Sequence, residues 1–208
     1  MNLLDNFINE CDIALKTLSF KKSGTGRSYP PNEASSALSK EEKNLSAQLM
    51  RVNLAGEVAA QALYRGQAMV CKDPEIKNHL VQAGEEETDH LIWCKKRLEE
   101  LNGKPSILNP VWYAGSFAIG AIFGSFGEKT SLGFVEETEK QVVKHLERHL
   151  DRVSKNDTET IEILKTMRAD EDEHAREAFE NGSESLTEPT KKFMSFTAKV
   201  MTSSSAYI

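Results

Sequence analysis

Apolar residues recur along most of this chain at three- and four-residue intervals, the period of an amphipathic helix. Leu3, Leu4, Phe7, Ile8, Ala14, Leu15 and Leu18 mark a short helix over residues 2–19. The pattern then breaks through residues 20–38, which are rich in Ser, Gly and Pro and read as a loop. Four longer helices follow, at about 40–71, 75–101, 128–154 and 157–180. Ser39 precedes Lys40-Glu41-Glu42 as an N-cap with an acidic first turn. Asp73-Pro74, Asn102-Gly103 and Asn181-Gly182 supply the breaks. No alternating Val/Ile/Thr run suggests a strand, so the expected class is all-α.

Two segments depart from the amphipathic pattern. From Pro105 to Gly127 there is no charged residue. That stretch is long enough to cross a bundle end to end, and it joins the second long helix to the third. Its glycines, Asn109-Pro110, Ser116 and Ser125 argue against a membrane span, which needs about 20 apolar residues. A surface helix set into the lipid interface, or against a lipophilic ligand, is favoured over a buried crossover helix. The C-terminal stretch places Phe193, Phe196, Val200 and Met201 beside Lys191, Lys192 and Lys199. It reads as either a basic amphipathic helix or a frayed tail. The expected division is residues 1–38 as an N-terminal helix and loop, 39–182 as the bundle, and 183–208 as the tail.

The apolar stripes carry charged intruders. In the third long helix Leu132, Val135, Val142, Leu146, Leu150 and Val153 share a face, and Glu139 sits inside it. Glu136 and Glu137 lie toward its edges. A lone carboxylate in such a stripe costs several kcal/mol unless it is paired or bound to a metal. The same test selects Glu57 in the first long helix, in line with Met50, Asn53, Ala60, Tyr64 and Ala68. Two Glu-x-x-His motifs, Glu87 to His90 and Glu171 to His174, occupy the stripes of the other two helices. Spacing i, i+3 sets carboxylate and imidazole on one helix face. One Glu from each of two helices plus Glu-x-x-His from each of the other two is the ligand pattern of ferritin-like di-iron bundles. Four Glu and two His favour iron or manganese over zinc. His79 and His149 read as surface histidines, and Glu85, Glu86, Glu99, Glu100, Glu147 and Glu173 as solvated.

Charge and cysteine content narrow the reading further. A net charge of -6 without a Lys/Arg cluster excludes a nucleic-acid footprint. Cys11, Cys71 and Cys94 form no CxxC pair, which points to a reducing compartment. The acidic N-terminus is not a secretory signal.

Several stretches together resemble the demethoxyubiquinone hydroxylases of ubiquinone biosynthesis. They are RVNLAGEVAAQALYRGQA, EEETDHL, LNPVWYAGSFAIGAIFGSFGEK, ETEKQVVKHL and ADEDEHAREA. The resemblance is strong over about residues 40–180 and looser over 1–20. It implies a ferritin-like di-iron monooxygenase that hydroxylates the ring of a demethoxyubiquinol with oxygen. It also implies a peripheral protein on the cytoplasmic face of the bacterial inner membrane. Two iron ions would be held by Glu57, Glu87, His90, Glu139, Glu171 and His174. His145 resembles the family's histidine proposed to relay electrons or protons beside the centre. Leu146 and Leu54 depart from a Tyr and a His found in some relatives. A homo-oligomer or a complex with other quinone-pathway proteins is implied by the family alone. The competing expectation is a ferritin-like iron oxidase or a rubrerythrin-like peroxidase. The apolar crossover and the lack of CxxC speak against both.

Overall fold

A computed structural model describes residues 3–31 and 37–208, without the side chains of Leu3, Leu4, Asn6 and Phe7. The contribution expected of Leu3, Leu4 and Phe7 to an apolar face therefore lies outside the described residues, as do positions 2 and 32–36. Seven helices and no strand occur among the described residues: α1 Leu3–Leu18, α2 Lys40–Val70, α3 Pro74–Glu100, α4 Asn109–Gly124, α5 Glu128–Arg152, α6 Thr158–Glu180 and α7 Glu188–Ser205.

Local chemistry sets the ends of the long helices. Ser39 accepts the Glu42 backbone N–H at 3.2 Å, and Glu42 accepts the Ser39 N–H at 2.7 Å, a reciprocal capping box. Asp73 accepts from the N–H groups of Glu75 and Ile76, with Pro74 opening α3. Asp157 caps α6 by accepting from Thr160 N–H. The left-handed turns after α3 and α6 fall on Asn102 (φ 57°) and Gly182 (φ 90°).

The long helices pack as two hairpins, α2 with α3 and α5 with α6, joined face to face chiefly through α3 and α6. Leu49, Met50, Leu54, Leu91, Leu98, Leu146, Leu164 and Met167 fill the space between them. Truncating one such leucine to alanine removes about 2–5 kcal/mol. Leu54 and Leu146, the two departures from relatives, both lie in this core.

The crossover helix α4 lies along α2. Its glycines make the close approach possible. A Cβ on Gly120 would overlap the Leu63 carbonyl, and one on Gly66 of α2 would overlap the Phe117 carbonyl. α4 also touches α5, where Phe123 packs on Phe134, and α1. Val111, Ala114, Ala118 and Ile122 of α4 remain exposed, as does Phe126 in the turn after it. The buried-crossover reading thus holds for one face of the helix, while the other face is exposed and apolar. Among the described residues no helix is long and apolar enough to cross a membrane. The C-terminal stretch is helical, not frayed. It packs on α2 and α5 and leaves Phe193, Phe196 and Val200 exposed.

Candidate metal centre

The six sequence-selected ligands converge between the two hairpins. Glu57 comes from α2, Glu87 and His90 from α3, Glu139 from α5, and Glu171 and His174 from α6. Each is at most 5% exposed. Ligand atoms of Glu57, Glu87, His90 and Glu171 all lie within 4.8 Å of one another.

The two motif glutamates are shared. Glu87 places Oε2 3.0 Å from His90 Nδ1 and Oε1 3.2 Å from His174 Nδ1. Glu171 repeats the arrangement, with Oε1 3.2 Å from His90 Nδ1 and Oε2 3.3 Å from His174 Nδ1. Each carboxylate therefore turns one oxygen to each imidazole. Glu57 stands on the His90 side, 3.8 Å from its Nδ1. Glu139 is held by the buried Tyr64 hydroxyl, which donates to its Oε1. The result has two lobes with two common carboxylates, the form a pair of carboxylate-bridged cations requires.

Each histidine is fixed from behind by an acid of the facing helix. His90 Nε2 lies 2.9 Å from Asp170 Oδ2, and His174 Nε2 lies 3.0 Å from Glu86 Oε2. These acids directly precede Glu171 and Glu87, so the true unit is acid-Glu-x-x-His, used reciprocally. Such partners orient a metal-binding imidazole and fix its tautomer. The expectation that Glu86 is solvated is corrected here. It is half-buried, and its bond to His174 holds its carboxyl below the usual range. His149 is likewise not a surface residue. It is buried, with its ring centroid 4.0 Å from that of His145. Burial, followed by Arg148 and Arg152, pushes His145 down to about 4. Among the described residues no hydrogen bond or ion pair joins His145 to the six-residue cluster.

The electrostatics test whether the residues present fit a metal. Burial, then Glu87, raises Glu57 well above the carboxylate range. Burial, then Glu171 and Glu87, does the same to Glu139. Burial opposes charge on His90, but the carboxylates around it outweigh that and raise it well above its ordinary value. Protons thus gather where positive charge is missing. No Lys or Arg ion-pairs with the six residues among those described. Four carboxylates balance two divalent cations, and oxygen-rich sites with imidazole suit iron or manganese. The residues fit the group.

Sequence reasoning missed Asp170, Glu86 and Tyr64 in these roles. The acid before each motif glutamate was a readable signal, and so was Tyr64, two turns beyond Glu57 on the same face.

Helical hairpins contributing one Glu and one Glu-x-x-His apiece define a ferritin-like carboxylate bundle. The comparisons narrow that class. The chain belongs to the family described as "Ubiquinone biosynthesis protein COQ7", whose model matches residues 44–205. It is 49% identical over 209 residues to a 3-demethoxyubiquinol 3-hydroxylase of Legionella pneumophila (strain Lens), covering 100% of this chain and 98% of the relative. A protein of the same name from Nitrosococcus oceani is 48% identical over the same shares. One from Francisella philomiragia is 47% identical over 202 residues, 97% of this chain and 96% of the relative.

Proposed function

We propose that this chain is a di-iron 3-demethoxyubiquinol 3-hydroxylase that works at a membrane surface. Glu57, Glu87, His90, Glu139, Glu171 and His174 would hold the two irons, with Glu87 and Glu171 each turned toward both histidines. The bound irons supply oxygen activation. The overall change inserts one oxygen atom into a ring C–H bond and reduces the other to water, with two electrons and two protons from a reductant.

The chain's own residues orient and protect that chemistry. Asp170 and Glu86 hold both imidazoles with Nδ1 facing the cluster. Tyr64 keeps its proton, because burial and then Glu139 raise it well above its ordinary value, and its hydroxyl donates a hydrogen bond to Glu139. Leu54, Leu91 and Cys94 are fully buried and pack in the core between the hairpins, excluding water. The uncharged outer face of α4 and the exposed Phe193, Phe196 and Val200 of α7 support docking at the lipid interface, where a polyprenyl substrate resides. A peripheral position on the cytoplasmic face of the bacterial inner membrane follows from this reading.

The carrying observation is the double sharing of Glu87 and Glu171 between the two histidines. The test loads the protein anaerobically with ferrous iron, adds a short-tailed demethoxyubiquinol, and admits oxygen-18 gas. Mass spectrometry should find one labelled oxygen in the ring, and none with Glu139→Ala. Two bound irons with oxygen consumed but the quinol unchanged would defeat the substrate assignment and favour iron oxidation.

A further inference from the structure

Residues 20–31 connect α1 toward α2 and lie outside the 44–205 segment matched by the family model. They nevertheless sit on the back of the metal cluster. The Thr25 backbone N–H donates to Asp89 Oδ1 at 3.1 Å, and the Thr25 hydroxyl donates to Asp89 Oδ2. Asp89 is 2% exposed and directly precedes His90, so both oxygens of a buried carboxylate are met by this segment. A Cβ at Gly24 would overlap that carboxylate, so the backbone rests directly on it. Tyr29 extends the seat along α3. Its hydroxyl donates to Glu100 at 3.0 Å, and Lys96 Nζ lies 3.6 Å from its ring centre.

Arg27 is the segment's reach toward the centre. Its two terminal nitrogens fork onto Asp170, at 2.7 Å to Oδ2 and 3.1 Å to Oδ1. Asp170 Oδ2 is also the atom that holds His90 Nε2. The Arg27 guanidinium lies 4.9 Å from the centre of the Trp93 ring, which is itself 5.4 Å from the His90 ring. Among the described residues no guanidinium forks onto Glu86 on the His174 side, and Arg27 acts on Glu86 only through its charge at longer range. Glu86 is joined there by Gln82, an uncharged neighbour on its own helix.

We propose that residues 20–31 form a strap and that Arg27 is a positioning residue, clamping Asp170 on His90 so that one metal position depends on chain outside the bundle. A planar fork fixes both carboxylate oxygens, which a point charge cannot do. The carboxylate then cannot swing off Nε2. The two positions differ accordingly: the His90 position is held by a charge-clamped acid, and the His174 position by a freer one. The coupling runs both ways, since a strap that favours metal must itself be favoured by metal.

This inference rests on the metal reading, and the test separates the two. Cobalt(II) titrations with a competing chelator, followed by visible d–d absorption, give the affinity and spectrum of each position. In Arg27→Met one of the two affinities should fall about 10-fold, the lower end for losing an outer partner of a metal ligand. The other affinity should hold. Arg27→Lys should recover part of the loss, and Glu86→Gln should weaken the opposite position. Arg27 is partly exposed, so the fold tolerates its loss. Hydrogen exchange gives a second readout: cobalt should slow exchange in a peptide spanning residues 20–31 of the wild-type chain. If Arg27→Met leaves both affinities unchanged or lowers them equally, or if cobalt does not protect the strap, the proposal is overturned and the metal centre stands. If the wild-type chain binds no cobalt, both fall.

Discussion

Helices α3 and α6 share two buried polar clusters, and the two balance their charge in different ways. At one end Arg97, 4% exposed, places its guanidinium 2.7 Å from Asp157 and 2.9 Å from Glu159, and its Nε donates to Thr160 at 3.0 Å. The protein supplies its own cation there, so the cluster is complete as a clamp between the end of α3 and the start of α6. Further back along α3, Glu87 and His90 join four more ligand-type residues with no Lys or Arg among them. That cluster is incomplete as protein. The Arg97 cluster is a structural device and the buried carboxylates are a receptor, although both set acids between α3 and α6.

The comparison breaks most sharply at Glu87, which serves both lobes. Glu87→Ala should reduce bound iron from about two per chain to below one by elemental analysis. Hydroxylation should fall by more than about 100-fold, beyond the range for losing an outer partner. The fold should persist by circular dichroism. Iron retained at the wild-type level would remove Glu87 from the proposed ligand set.

Arg97→Met should do the reverse. Removing one partner of a buried ion pair costs about 3–5 kcal/mol, which lowers the melting temperature of a domain this size by about 10 °C. The iron content of the folded protein should be unaffected. If instead iron binding falls while the melting temperature holds, the two clusters are not separate in function.

Much of this division is legible in the sequence, because periodicity and capping act locally. The four long helices, the Ser39 cap and the intrusion of Glu57 and Glu139 into apolar stripes all follow from neighbours on one helix. What was not legible depends on contacts between helices. Glu86 looks like one more acid in a run of three, and only the approach of α6 brings it to His174. His149 looks polar and exposed by type, but it is buried with its ring tilted against that of His145. Arg27 lies in a Ser/Gly/Pro-rich loop whose composition carries no sign of where it docks. Half of α4 is covered because glycines on two helices meet, a coincidence no single-helix pattern encodes.

The smallest expected effect concerns pH and separates the clusters by sign. In the metal-free chain Glu57 and Glu139 titrate above the ordinary 4.5 when folded. Their contribution to stability is therefore full below about pH 4.5 and is lost as pH rises toward their folded values. His90 is raised above 6.5 and acts in the same direction, losing its contribution as pH climbs through its folded value. Glu87, with burial outweighed by its two histidines, is lowered, so its contribution is lost only in acid. Between pH 5.5 and 8 the metal-free centre should destabilise the fold progressively. Metal binding displaces those protons, so the gap in melting temperature between iron-loaded and chelator-stripped protein should widen across that interval. Glu57→Gln mimics the protonated acid, and it should flatten the slope of the stripped protein and raise its melting temperature at pH 8 while weakening iron binding. The same substitution leaves the Arg97 cluster untouched. A gap that stays constant from pH 5.5 to 8 would mean that the carboxylates are compensated from within the protein, as Asp157 is by Arg97, and that the centre does not depend on a cation for its charge balance.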